Sequence, residues 1–120
     1  MPQLILEYSS NIIETNNLID LLKNINKFLS ESLPTELSSC KSRAIEYAVY
    51  CIGDGSLHNA FVHVNLKVMS GRSLDKLTDV GNGTMNILKK YFHESARQLN
   101  LQITLEIDEL QKTYFKYVVE

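Results

Sequence analysis

The sequence predicts an α+β fold in which two tandem βαβ units form a four-stranded sheet with both helices on one face. Three observations predict it. Apolar and polar residues alternate over four short segments, apolar residues recur at three- and four-residue steps over two longer ones, and the order strand, helix, strand occurs twice. A chain of 120 residues has the usual size of one domain. We therefore expect residues 1–120 to form a single domain with pseudo-repeat halves of about 2–57 and 58–120.

The four strands are predicted at residues 4–8, 43–51, 61–68 and 101–107. The third is the clearest, because Val62, Val64, Leu66 and Val68 alternate with more polar neighbours. The second strand is expected to bury one face, formed by Ile45, Tyr47, Val49 and Cys51. A turn at residues 53–55, Gly-Asp-Gly, should separate the two halves.

The first helix is predicted from an apolar stripe that runs from Leu18 to Leu29. Thr15 or Asn16 is its expected N-cap, and Pro34 should prevent it from continuing beyond the residue or two before the proline.

The second helix is predicted to begin after the N-cap Ser73. It contains Gly81 and Gly83, and a glycine inside a helix costs about 1 kcal/mol relative to alanine. This cost suggests either a close approach by a neighbour or a local break in the helix. The residues expected on its buried face are Leu74, Leu77, Met85, Leu88, Phe92 and Leu99.

The predicted arrangement leaves one face of the sheet bare. The two strands of each βαβ unit should be parallel, with the helix crossing over on the same side in both units. The sequence offers no third layer for the opposite face. The simplest cover is another copy of the chain, so we expect a closed oligomer.

Composition argues against several classes of protein. A net charge of −2 and a pI near 5.9 disfavour nucleic acid as a partner. The sequence contains no apolar run of about 20 residues that would span a membrane and no signal-peptide pattern. Cys40 and Cys51 do not form a CxxC motif, so we expect a cytoplasmic protein with reduced thiols. His58, His63 and His93 lack ligand spacing, and we expect no metal site.

Four residues are candidates for chemistry. Pro2 becomes a secondary amine if Met1 is removed, and a buried amine beside cations has a pKa lowered toward neutrality, where proton transfer is efficient. Arg72 follows a glycine turn between a strand and a helix, where a guanidinium can hold a carboxylate. Lys41 and Arg43 form a smaller cationic pair at the beginning of the second strand.

Three segments together resemble the 5-carboxymethyl-2-hydroxymuconate Δ-isomerase family of the tautomerase superfamily. They are MPQLILEYSSNI at the start, AFVHVNLKVMSGRSLDK in the middle and LEIDEL near the end. The similarity covers nearly the whole chain and is strongest over residues 60–76. The order and spacing of Pro2, the SRA segment and the GRS segment match the family throughout.

The resemblance implies a homotrimer whose three sheets form a central barrel with the helices outside. It implies a cofactor-free isomerase that converts an unsaturated 2-hydroxy diacid to its conjugated keto form in the bacterial breakdown of homoprotocatechuate. Pro2 would be the general base and acid, and Arg72 would hold a substrate carboxylate. The family's second catalytic arginine falls where this chain has Lys41, with Arg43 two residues later, and either could bind the rest of the substrate.

Two alternatives remain from the sequence. The chain could be a tautomerase for another 2-oxo acid, such as an aryl pyruvate or a halogenated acid. It could also be a non-catalytic oligomeric binding module with the same fold, which a permanently blocked Pro2 would favour.

Overall fold

The computed structural model describes residues 1–119. Four strands form one sheet, and three helices and a short 3-10 turn connect them. The strands are β1 (Gln3–Ser9), β2 (Lys41–Tyr47), β3 (Asn59–Val68) and β4 (Asn100–Glu109). The helices are α1 (Leu18–Ser32), α2 (Leu74–Tyr91) and α3 (His93–Gln98), with the 3-10 turn at Leu37–Ser39. None of the helices in residues 1–119 is long and apolar enough to cross a membrane.

The sheet has the strand order β2-β1-β3-β4. β1 pairs in parallel with β2, and β3 pairs in parallel with β4, which confirms the two predicted βαβ units. The central pair, β1 and β3, is antiparallel, with Leu4 opposite Leu66 and Leu6 opposite Val64. All four of these side chains are completely buried on the face covered by the helices.

α1 packs its predicted stripe on the sheet, and Leu21, Ile25 and Leu29 are buried. It ends at Ser32, two residues before Pro34, as predicted. The expected N-cap was wrong, because the cap is Asn17 rather than Thr15 or Asn16. The Asn17 side chain makes no capping hydrogen bond, so the start of the helix depends on burial of the stripe rather than on a cap.

α2 begins after Ser73, whose hydroxyl accepts a hydrogen bond from the Lys76 backbone N–H at 3.1 Å, as predicted. The helix ends at Tyr91, so the prediction of one helix continuing toward residue 99 was wrong. α3 starts separately, because the Glu14 carboxylate accepts hydrogen bonds from the Ser95 backbone N–H at 2.9 Å and from the Ser95 hydroxyl. A side chain from the loop before α1 thus supplies the cap of α3.

The buried face of α2 also differs from the prediction. Leu88 and Phe92 are buried as predicted, but Leu74 is 78% exposed, and the buried line of α2 is formed by Val80, Thr84 and Leu88. Steps of four residues relate these three, and they face α1 and the sheet. Leu77 and Met85 lie beside that line and are half-buried, because they border an open groove next to β4.

Of the two causes considered for the glycines inside α2, the structure shows a close neighbour at Gly83. The helix is continuous there. A Cβ atom at position 83 would stand 2.1 Å from Cζ of Phe28 in α1. At position 81 it would stand 3.4 Å from Cδ1 of Ile107, which is ordinary contact. Gly83 therefore allows the Phe28 ring to pack directly against the α2 backbone.

β2 is shorter than predicted and its apolar residues are not buried. It ends at Tyr47, so Val49 and Cys51 lie beyond it, and Val49 is 92% exposed. Ile45 and Tyr47 are 43% and 37% exposed. Their alternation placed them on the face opposite the helices, which a single chain leaves open.

This open face carries hydrogen-bonded polar pairs that connect neighbouring strands. The Tyr47 hydroxyl donates to the Glu7 carboxylate at 2.6 Å, and Nδ1 of His63 lies 2.7 Å from the Thr104 hydroxyl. The turn between the halves is also as predicted, with positive φ at the glycines of residues 53–55.

We predict that Gly83→Ala lowers the free energy of unfolding by about 1–3 kcal/mol, because the added methyl group overpacks the contact with Phe28. Gly81→Ala is the matched control and should change it by less than about 1 kcal/mol, since it meets only ordinary contact and removes a glycine from a helix. Urea denaturation measures both.

The contact itself is tested in a Phe28→Leu background. There the cost of Gly83→Ala should shrink, because the ring end that the methyl group meets is gone. An equal cost in both backgrounds would show that Phe28 is not the cause.

Candidate active site

Sheet topology brings four chain segments to one end of the sheet. Gln3 at the start of β1 pairs with Lys41 at the start of β2, and also with Lys67 near the end of β3. Lys67 in turn pairs with Asp108 near the end of β4. The residues that precede β1, begin β2, and follow β3 and β4 are therefore neighbours.

Pro2 lies buried at this end of the sheet. Its carbonyl accepts a hydrogen bond from the Lys41 backbone N–H at 3.0 Å, which continues the β1–β2 ladder by one step. In the structure, the nitrogen of Pro2 is in a peptide bond with Met1. The ladder fixes the position of this residue without using its nitrogen.

The α-amino group of Met1, which is the amino terminus in the structure, has a lowered pKa. Burial is the largest cause, because it disfavours the charged ammonium, and the positive charge of Arg72 is the next. Lys116 and Lys41 act in the same direction, whereas Cys40 acts in the opposite one. The terminus is therefore surrounded by positive charge on a partly buried surface.

Arg72 is held in a fixed orientation. Gly71, at φ +109°, makes the turn that places it after β3. Its Nε donates to the Leu33 carbonyl at 3.3 Å and its Nη1 donates to the Met69 carbonyl at 3.1 Å. Within residues 1–119 its Nη2 has no hydrogen-bond partner, so part of the guanidinium is available for an anion.

Lys41 and Arg43 lie on the same face of β2 but differ in their surroundings. Lys41 pairs with Gln3, next to Pro2, and its Nζ donates to the Ser39 carbonyl at 3.3 Å. Arg43 is two residues further along the strand, where it pairs with Ile5. Its Nη1 donates to the Gln3 side-chain oxygen at 2.9 Å. The structure thus brings the charges of Lys41 and Arg72 to the amino terminus, whereas Arg43 lies further along the same face and bonds to Gln3.

Sequence reasoning missed two neighbours of the amino terminus. Cys40 is buried, and its thiol donates to the Glu36 carbonyl at 3.6 Å. Burial raises the pKa of this thiol, which disfavours the reactive thiolate. Lys116 comes from the segment after β4, and its Nζ lies 2.8 Å from the Met1 sulfur.

A cavity of about 510 Å³ lies at this end of the sheet, and of the four candidate residues only Lys41 is in its wall. Lys41, Lys116, Ser38 and Ser39 supply polar atoms to its wall, and Tyr114 and Tyr117 supply aromatic rings. A second cavity, of about 500 Å³, lies between α1 and α2 and contains none of the candidate residues. Among residues 1–119, no group of three or more His, Cys, Asp or Glu side chains is placed to hold a metal ion.

The model of the 5-carboxymethyl-2-hydroxymuconate isomerase family matches residues 2–117. The chain belongs to this family. It is 31% identical over 113 residues to the 5-carboxymethyl-2-hydroxymuconate Delta-isomerase of Escherichia coli, covering 94% of this chain and 90% of that one. The protein is therefore an isomerase.

Solved structures agree with this membership. A 5-carboxymethyl-2-hydroxymuconate isomerase from Deinococcus radiodurans R1 superposes with a TM-score of 0.87 at 28% identity, covering 96% of this chain and 88% of that one. A fused 4-OT symmetric trimer superposes with a TM-score of 0.71 at 17% identity, covering 96% and 90%, and shows the fold alone. The predicted tautomerase-like fold is confirmed.

We predict that, in protein that keeps Met1, Arg72→Gln and Lys41→Gln each raise the pKa of the Met1 α-amino group, because each removes a positive charge that disfavours the ammonium. Arg72→Gln should raise it more. Arg43→Gln is the matched control and should leave the pKa unchanged.

The α-amino group can be titrated by NMR of protein that keeps Met1 and is labelled with ¹⁵N at that residue. A shift with Arg43→Gln as large as that with Lys41→Gln would contradict the assignment of Lys41 to this cluster.

Proposed function

We propose that the protein is a cofactor-free keto–enol isomerase in which the amine of Pro2 moves a proton within an unsaturated 2-hydroxy diacid such as 5-carboxymethyl-2-hydroxymuconate. The observation that carries the proposal is the buried amino-terminal end of β1, next to the oriented guanidinium of Arg72 and to Lys41. The match to an isomerase family begins at Pro2 itself and supports it.

The proposal requires that Met1 is removed. In a peptide bond the Pro2 nitrogen is an amide and cannot act as a base, whereas a free secondary amine can. The reference pKa of an α-amino group is about 8, and burial together with Arg72 lowers the pKa of the Met1 α-amino group, one residue before Pro2. We expect the same surroundings to lower the pKa of the freed Pro2 amine. A neutral amine near physiological pH is what a general base needs.

The reaction then needs one proton and no external electrons. The Pro2 nitrogen takes the proton from the substrate 2-hydroxyl, and the oxygen becomes the carbonyl as its electron pair enters the conjugated system. A carbon further along that system then takes the proton back from the Pro2 ammonium. Arg72 holds a carboxylate at the 2-oxo end and stabilises the developing oxyanion, and Lys41 stabilises negative charge on the opposite side.

Turnover of 5-carboxymethyl-2-hydroxymuconate tests this function. With protein whose mass shows that Met1 is absent, ketonisation followed by ultraviolet absorbance should be rapid, and kcat/KM should rise with pH through one group that titrates below the ordinary pKa of an α-amine. Pro2→Ala should lower kcat/KM, because a flexible primary amine replaces the fixed secondary amine. Blocking the amine as an amide should lower it at least about 100-fold, because general acid–base catalysis contributes about that much or more.

Two controls separate the alternatives. Protein with Met1 retained should be inactive. If the processed protein turns over phenylenolpyruvate but not the diacid, the substrate is an aryl pyruvate. If it turns over neither, the protein does not carry out this reaction.

We also propose that three copies assemble around their open sheet faces. The support is the exposed face of β2 and the other strands described above, together with two edge strands, β2 and β4, whose outer hydrogen-bonding groups have no strand partner in residues 1–119. A closed ring of three sheets would pair these edges.

Size-exclusion chromatography with light scattering should therefore give three times the chain mass of 13.7 kDa. A folded monomer at micromolar concentration would contradict the assembly, because an open face and two free edges would then be stable in water.

A further inference from the structure

The C-terminal segment of residues 110–119, here called the tail, crosses the end of the sheet where the candidate site lies. It leaves β4 with the Leu110 backbone N–H donating to the Val68 carbonyl at 2.7 Å. Further on, the Tyr114 hydroxyl accepts a hydrogen bond from the Gln3 side chain at 3.4 Å. Two residues later, Nζ of Lys116 reaches the Met1 sulfur at 2.8 Å.

The tail therefore runs from the β4 edge to the opposite, β2 edge. There it forms one wall of the 510 Å³ cavity, whose other wall is the 3-10 turn and the start of β2. Among residues 1–119, the charged side chains in this cavity wall are Lys41, Lys116 and Glu36. Two cations and one carboxylate leave a net positive charge beside Pro2.

Positive charge thus stands on both sides of Pro2. Arg72 follows β3, on one side of β1, and the two lysines lie toward β2, on the other side. A substrate with one carboxylate needs only one of these groups. A substrate with a carboxylate at each end can use both.

We propose that Lys116 is a further substrate-binding residue, which binds the carboxylate remote from Arg72 and makes the site prefer diacids to monoacids. The inference rests on the proposed function, since it takes the reacting end of the substrate to lie at Pro2.

The position of Met1 supports this role. In the structure the ammonium of Lys116 contacts the Met1 side chain, the residue that must leave to free the Pro2 amine. With Met1 removed, Lys116 loses this contact and faces the cavity next to Pro2. An ammonium has three donors and no fixed fork, so it can follow a carboxylate at the end of a flexible chain.

Lys116 is exposed in the free protein, but substrate binding would change its surroundings. A lone surface ion pair contributes little, because water screens it. A substrate that fills the cavity excludes water from its wall, and the same charge then acts at a lower effective dielectric constant. The contribution should appear on binding of a diacid rather than in the stability of the fold.

The test compares Lys116→Met with Lys112→Met, which removes the same charge from an exposed position of the tail outside this cavity wall. Lys116→Met should lower kcat/KM for 5-carboxymethyl-2-hydroxymuconate about tenfold or more, with phenylenolpyruvate changed less than about twofold. Lys112→Met should change neither, and Lys116→Arg should restore most of the diacid rate. An unchanged diacid rate, or an equal loss on both substrates, would overturn the proposal.

A binding measurement keeps this test separate from that of the proposed function. Calorimetry with adipate and hexanoate, using protein without Met1, gives the ratio of diacid to monoacid affinity whether or not the protein turns over any substrate. Lys116→Met should lower this ratio about tenfold. A wild-type ratio near one, or one that Lys116→Met does not change, would overturn the role of Lys116 even in an active isomerase.

Discussion

The antiparallel pairing of β1 with β3 decides where the charged groups of the site lie. Each βαβ unit alone would put the beginnings of its strands at one end and their ends at the other. Because Leu4 pairs with Leu66 and Gln3 with Lys67, the beginnings of β1 and β2 meet the ends of β3 and β4. The amino terminus, the start of β2, the turn before α2 and the tail therefore converge.

That convergence places cations beside an amine, which is unfavourable for the ammonium. The positive charge of Arg72 acts on the amine because its guanidinium is held by the carbonyls of Leu33 and Met69 rather than by an acidic side chain. A carboxylate partner would have neutralised the guanidinium and returned the pKa of the amino terminus toward its ordinary value. Carbonyl partners fix its orientation and leave its charge available to a substrate.

The parts of the structure that depend on local pattern could be predicted from the sequence, and those that depend on tertiary placement could not. Ser73 and Pro34 act over a few residues, and they marked the right helix boundaries. The β3 alternation marked the right end, Val68, although the strand begins two residues before the predicted start. The break before α3 depends on Glu14, about 80 residues away along the chain. Of the candidate site, Pro2 and Arg72 could be proposed from motifs, whereas the proposal of Lys116 needs the direction of β4, which follows from the β1–β3 pairing.

The open face shows why assembly should depend on a few apolar contacts and on strand edges. Its polar groups are largely paired within one chain, as Tyr47 with Glu7 and His63 with Thr104. A second copy would gain little binding free energy from these groups, because each hydrogen bond to the partner would replace one that already exists within the chain. Ile5, Ile45 and Phe61 are aliphatic or aromatic side chains that this face still exposes in part, and the edges of β2 and β4 supply backbone groups with no strand partner in residues 1–119. In the proposed assembly the polar pairs would set the register between copies, because a shifted copy would bury them against apolar side chains.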